Sequence, residues 1–166
     1  MKFYHGSKDG SIKELSTSHS GDGKVYVTNS RLVALSYAVR GYPNLFTTLK
    51  SGKEAFLELV PDLFEKMIKG KTAYIYTLEN KEYIPVIQNN KCGHTNCYCC
   101  NENVSVIEKE YIKDAYVEFF KYIENGEFIV VNYKDIPNRE QKIKDIFDNS
   151  SKVDFTNKTN YLNLLK

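Results

Sequence analysis

The chain has no tryptophan, four prolines and four cysteines in 166 residues. All four cysteines fall between Cys92 and Cys100, too close together for the spaced pairing of a disulfide framework. They are therefore expected to be free thiols or metal ligands. No apolar run approaches the ~20 residues of a membrane-spanning helix. The opening stretch, Met1 to Ser11, has no apolar signal-peptide core, so a cytoplasmic protein is expected. A dominant charge is missing too: 23 basic side chains face 21 acidic ones, for a net charge of +2. A protein that binds nucleic acid by neutralising phosphates wants a basic stripe, whereas these lysines are scattered and read as a solvated surface. Arginine is confined to Arg31, Arg40 and Arg139. No internal repeat or linker breaks the chain, so residues 1–166 are read as one domain.

What is present is aromatic: 13 Tyr and 9 Phe, residues that favour strands and pockets. Strands are expected at Lys2–His5, Lys24–Thr28, Ala55–Val60, Thr72–Leu78, Val104–Ile107 and Phe128–Tyr133, with a short one over Tyr83–Gln88. A helix capped by Asn29 or Ser30 carries Leu32, Val33, Leu35 and Tyr37 and ends at Gly41. A second runs over Asp62–Lys69. A third, Glu110–Glu124, is amphipathic with Ile112, Ala115 and Phe119 on its apolar face, and a fourth follows Asn138. Residues 91–103 read as a polar, Cys-rich loop. Strands and helices are irregularly segregated rather than alternating, which predicts an α+β fold.

Chemistry concentrates in the first 40 residues. Tyr4-His5-Gly6-Ser7 closes the first strand, Gly23-Lys24-Val25-Tyr26-Val27-Thr28 follows a glycine-containing loop, and Ala34-Leu35-Ser36-Tyr37 lies on the next helix. Together these residues can hold a flat polar ring. Gly6 lets backbone N–H and C=O groups approach a planar amide, Ser7 adds a hydroxyl, and Tyr26 and Tyr37 offer faces for stacking. His5 can reach a sugar hydroxyl. Taken singly, a His-Gly-Ser turn, a strand tyrosine and a helix tyrosine are ordinary packing features; their order and spacing set them apart.

In that order and spacing the chain resembles the histidine-tyrosine branch of the ADP-ribosyltransferases, which includes the poly(ADP-ribose) polymerase catalytic domains and small bacterial and phage relatives. The resemblance covers about the first 40 residues closely and the rest in outline. It implies an ADP-ribosyltransferase-like fold of split antiparallel sheets with flanking helices. It implies NAD as ligand, with His5 on the adenosine ribose, Gly6 and Ser7 on the nicotinamide amide, and Tyr26 and Tyr37 around the nicotinamide ring. The family reaction breaks the nicotinamide–ribose bond through an oxocarbenium-like transition state, with an acidic side chain stabilising the developing charge.

By the same resemblance, the acid falls at Cys97, with Glu102 nearby but several residues out of register; Glu118, Glu124 and Glu127 are more remote. Three readings follow: an enzyme with His5, Tyr26 and Glu102 as its catalytic set, a nucleotide-binding module without the acid, or an RNA 2'-phosphotransferase-like enzyme, which would want arginines at its phosphate. Arg31 and Arg40, near the pocket helix, are candidates for gripping a pyrophosphate. Cys92, His94, Cys97, Cys99 and Cys100 form a separate cluster of soft ligands. They suit either a zinc ion or a loop of free thiols with Cys99 or Cys100 turned into the core.

Overall fold

The computed structural model describes residues 1–86, 94–150 and 162–165. It is mixed α/β, with one large antiparallel sheet, one small sheet and several helices. Seven strands form the large sheet in the order β2 (Glu14–Leu15), β9 (Val104–Ile112), β6 (Ala73–Leu78), β1 (Tyr4–Ser7), β3 (Val25–Thr28), β8 (Cys97–Cys100), β7 (Ile84–Pro85). Every neighbouring pair in it is antiparallel. The small sheet has the order β10 (Phe128–Val131), β5 (Glu54–Leu57), β4 (Phe46–Thr48). There β4 and β5 are antiparallel, but β10 runs parallel to β5, so the expectation of antiparallel sheets holds for the large sheet and is corrected for this one pair.

Helix α1 (Arg31–Val39) is apolar nearly all round, and such a helix must be buried on every side. It packs on β1 and β6 and shares a core with Phe46 and Phe56 of the small sheet. Ser30 is the N-cap: its side chain accepts a hydrogen bond from the Val33 N–H. Gly6 permits this seat. A Cβ there would lie 1.7 Å from the Ala34 carbonyl oxygen, so the helix can approach the strand only because the side chain is absent. Helices α2 (Leu63–Ile68) and α3 (Ala115–Glu124) close the same core, with Phe64 and Phe119 among the buried rings. A second core, with Phe3, Val25, Val27 and Tyr76, covers the other face of the large sheet. Helix α4 (Arg139–Asn149) packs Ile143, Ile146 and Phe147 against the first core.

Two further sequence expectations are corrected, and one strand is added. The stretch read as a Cys-rich loop contains β8, paired to β3 on one side and β7 on the other. Cysteine packs as a small hydrophobe, and Cys97, Cys99 and Cys100 are all buried. Strand β9 runs on to Ile112, so the segment from Glu110 to Ile112 is strand and α3 starts only after its Asp114 cap. Pairing with β6, from Ala73↔Ile112 to Leu78↔Val106, holds that segment extended. Strand β4, three residues long, had no periodic signal.

Candidate functional site

Strands β1 and β3 pair only at Tyr4↔Thr28 among the described residues. Beyond that pair the strands fork, and a cavity of about 490 Å³ occupies the fork under α1. Such a volume falls in the range typical of small-molecule sites. His5 and Gly6 from β1, Tyr26 and Thr28 from β3, and Tyr37 and Arg40 from α1 and its C-cap line it; so do Ser20, Gly21 and Asp22 from the preceding turn and Cys97 from β8. Four residues singled out in the sequence, His5, Gly6, Tyr26 and Tyr37, thus meet in one cleft.

His5 is half-buried, and its imidazole hydrogen-bonds the backbone of Tyr26 across the fork. Burial lowers its pKa below 6.5; the Tyr26 contact opposes this and the charge of Arg40 adds to it. The histidine is therefore held neutral, able to donate or accept through its ring nitrogens. Tyr26 projects from the cavity face of β3 and donates its hydroxyl to Asp22 Oδ2 at 2.5 Å. That hydrogen bond, with burial and the Asp22 charge, pushes its phenol pKa up to about 12. The turn formed by residues 20–24 is tied by Ser20, whose hydroxyl donates to the Lys24 carbonyl and accepts the Lys24 N–H. Tyr37 is the one half-buried aromatic on α1. The Arg40 guanidinium lies 4.3 Å from its ring centre. Burial raises the Tyr37 pKa, the Arg40 charge lowers it and the Glu54 carboxylate raises it.

The other sequence candidates lie elsewhere. Ser7 does not line the cavity; its hydroxyl accepts the Asp9 N–H. Glu102 sits exposed on the turn between β8 and β9, 3.1 Å from Lys81 Nζ, and is not brought to the cleft. Arg31 turns away to Glu110, Glu118 and Tyr122, which leaves Arg40 as the cleft's arginine. Glu118 is part of that distant network, on α3.

The described cysteines, Cys97, Cys99 and Cys100, divide between the two faces of the sheet. Cross-strand partners share a sheet face, so Cys97 and Cys99, opposite Thr28 and Tyr26, are on the cavity face, while Cys100, opposite Val25, is in the second core. Cys97 is disulfide-bonded, contrary to the expectation of free thiols or metal ligands only, whereas Cys99 and Cys100 are free. His94 is buried against Glu54, with Nδ1 2.6 Å from Oε2. Cys92 lies outside the described residues. Among the described residues no group of three or more His, Cys, Asp or Glu side chains is placed to hold a metal ion, and no helix is long and apolar enough to cross a membrane.

Sequence reasoning missed Asp22 and Glu54. Among the described residues Asp22 is the one carboxylate in the cavity wall, but in sequence it is one polar residue of a Ser-Gly-Asp-Gly turn. Glu54 follows a lysine at the start of an ordinary strand, with no local mark of burial. No protein-family model matches the chain, and no curated protein matches it.

Proposed function

We propose that this chain is an ADP-ribosyltransferase-like protein that binds NAD, or a closely related nucleotide, in the cleft between Tyr26 and Tyr37. One observation carries the reading: His5, Gly6, Tyr26 and Tyr37, drawn from two strands and a helix, line a single cavity of about 490 Å³. Two aromatic side chains suit a flat ring. Arg40 beside Tyr37 supplies a cation for a pyrophosphate, and neutral His5 suits a ribose hydroxyl.

Binding is better supported than transfer. The position that the resemblance gives to the acid is Cys97, whose sulfur is in a disulfide and so cannot ionise to a thiolate. Glu102 is engaged with Lys81 at the surface. Among the described residues Asp22 is the only carboxylate left in the wall, and Tyr26 already donates to it. The RNA 2'-phosphotransferase reading is weaker still, because Arg40 is the only arginine lining the cleft.

Titration calorimetry with NAD tests the proposal, with nicotinamide release measured alongside. Tyr37→Ala should weaken NAD binding by roughly tenfold or more, since a lost aromatic stack costs ~1–3 kcal/mol. Little or no nicotinamide should accumulate, and Glu102→Gln should change neither quantity. An absence of heat with NAD at millimolar concentration refutes the binding reading; rapid nicotinamide release that Glu102→Gln abolishes would restore the enzyme reading.

A further inference from the structure

The nucleotide reading makes no use of the most deeply buried ionisable pair among the described residues. Glu54 opens β5 in the small sheet, and His94 lies just ahead of β8 in the large one. Their side chains are 8% and 4% exposed, and Glu54 Oε2 meets His94 Nδ1 at 2.6 Å. The Thr48 hydroxyl donates to the other carboxylate oxygen, Oε1, at 2.8 Å. That hydroxyl also accepts the Thr95 N–H at 3.3 Å. A continuous chain of hydrogen bonds therefore joins β4 and β5 to the segment that leads into β8.

Joining two sheets does not require such a chain. An apolar pair of similar volume holds a core as well or better, because buried ionisable groups carry a desolvation cost. What the polar pair adds is direction, since hydrogen bonds fix orientation where apolar contacts slide. The side chain standing on it is Tyr37. The Tyr37 ring is 5.4 Å from the His94 ring, and its hydroxyl is 3.6 Å from Cys97 Sγ. Arg40 covers the ring at 4.3 Å, and Tyr37, Arg40 and Cys97 all line the cleft.

We infer that Glu54, His94 and Thr48 are positioning residues, a polar clasp between the two sheets that holds Tyr37 as a fixed wall of the cleft. The inference rests on the nucleotide reading for its effect on affinity but not for its effect on Tyr37 itself. Glu54→Gln keeps the shape and replaces the carboxylate that meets His94, Thr48→Val removes the hydroxyl, and Thr48→Ser retains it. Tyr37 ring signals, assigned by loss in Tyr37→Phe, are followed by NMR without ligand, and NAD affinity is measured on the same samples. Glu54→Gln and Thr48→Val should shift or broaden the Tyr37 signals and weaken NAD binding roughly tenfold, the scale of a hydrogen bond lost at a buried polar group. Thr48→Ser should restore both. Should Glu54→Gln fail to fold, Thr48→Val alone carries the test. Unmoved Tyr37 signals in a folded variant, or unchanged affinity where the parent chain binds NAD, would overturn the clasp. If the parent chain binds no NAD, the nucleotide reading falls and the Tyr37 signals still decide.

Discussion

His5 ties the cleft to the stability of the whole chain. Burial is the main reason its pKa is lowered from the ordinary 6.5. In the unfolded chain the imidazole takes up a proton as pH falls through that value, while in the folded chain it does so only at lower pH. Between the two values the unfolded state binds more protons, so stability is complete above 6.5 and declines as pH drops toward the folded pKa. Urea midpoints measured across this window should fall with pH in the parent chain and fall less in His5→Gln. Equal slopes would show that the ring is not held neutral. The residue motif was readable in sequence because the fork needs a particular residue at each place. Gly6 lines the cleft, and its missing side chain also seats α1 against β1.

At the scale of elements, the joints between helices and sheets depend on a few long-range polar contacts. Arg31 at the start of α1 reaches Glu110 on β9 at 2.6 Å and Glu118 on α3 at 2.9 Å, and donates to the Tyr122 hydroxyl. The Glu110 hydrogen bond is the main reason its pKa is raised, so its charge is secure. The carboxylate of Glu110 is half exposed, but Glu118 is mostly buried and keeps only Lys121 among the described residues, so Arg31→Met should cost about 1–3 kcal/mol in denaturant unfolding. NAD affinity should not change, as Arg31 lies outside the cleft; a loss of affinity would mean that α1 is misplaced. The elements with a strong local pattern, β3, α1, β6 and α3, stood out in the sequence. Strands β4 and β8 did not. β4 is too short to show a period, and Cys-Tyr-Cys-Cys among polar neighbours conceals buried positions behind small side chains. The end of β9, Glu110 to Ile112, reads as the first turn of a helix, and only its long ladder with β6 makes it strand.

Across the whole molecule, a ligand that binds only the folded chain shifts the folding equilibrium by mass action. NAD at ~100 times its Kd should therefore stabilise the protein by about 2.7 kcal/mol. For a chain of this size that is roughly a 5–10 °C rise in melting temperature. The rise should shrink in Tyr37→Ala at the same NAD concentration, and no rise in the parent chain would argue against a nucleotide cleft.

Local order was written in the sequence itself: which stretches prefer strand or helix, where α1 is capped, and that a histidine, a glycine and two tyrosines recur in a telling order. These follow from side-chain shape and near-neighbour hydrogen bonding, which need no distant partner. Long-range folding alone decided that Glu54 meets His94, that Asp22 meets Tyr26 in the cavity wall, that Glu102 remains outside, and that Cys97 and Cys99 take one face of a sheet and Cys100 the other. Burial and ion pairing depend on what arrives from elsewhere in the chain, and a residue carries no local mark of what that will be.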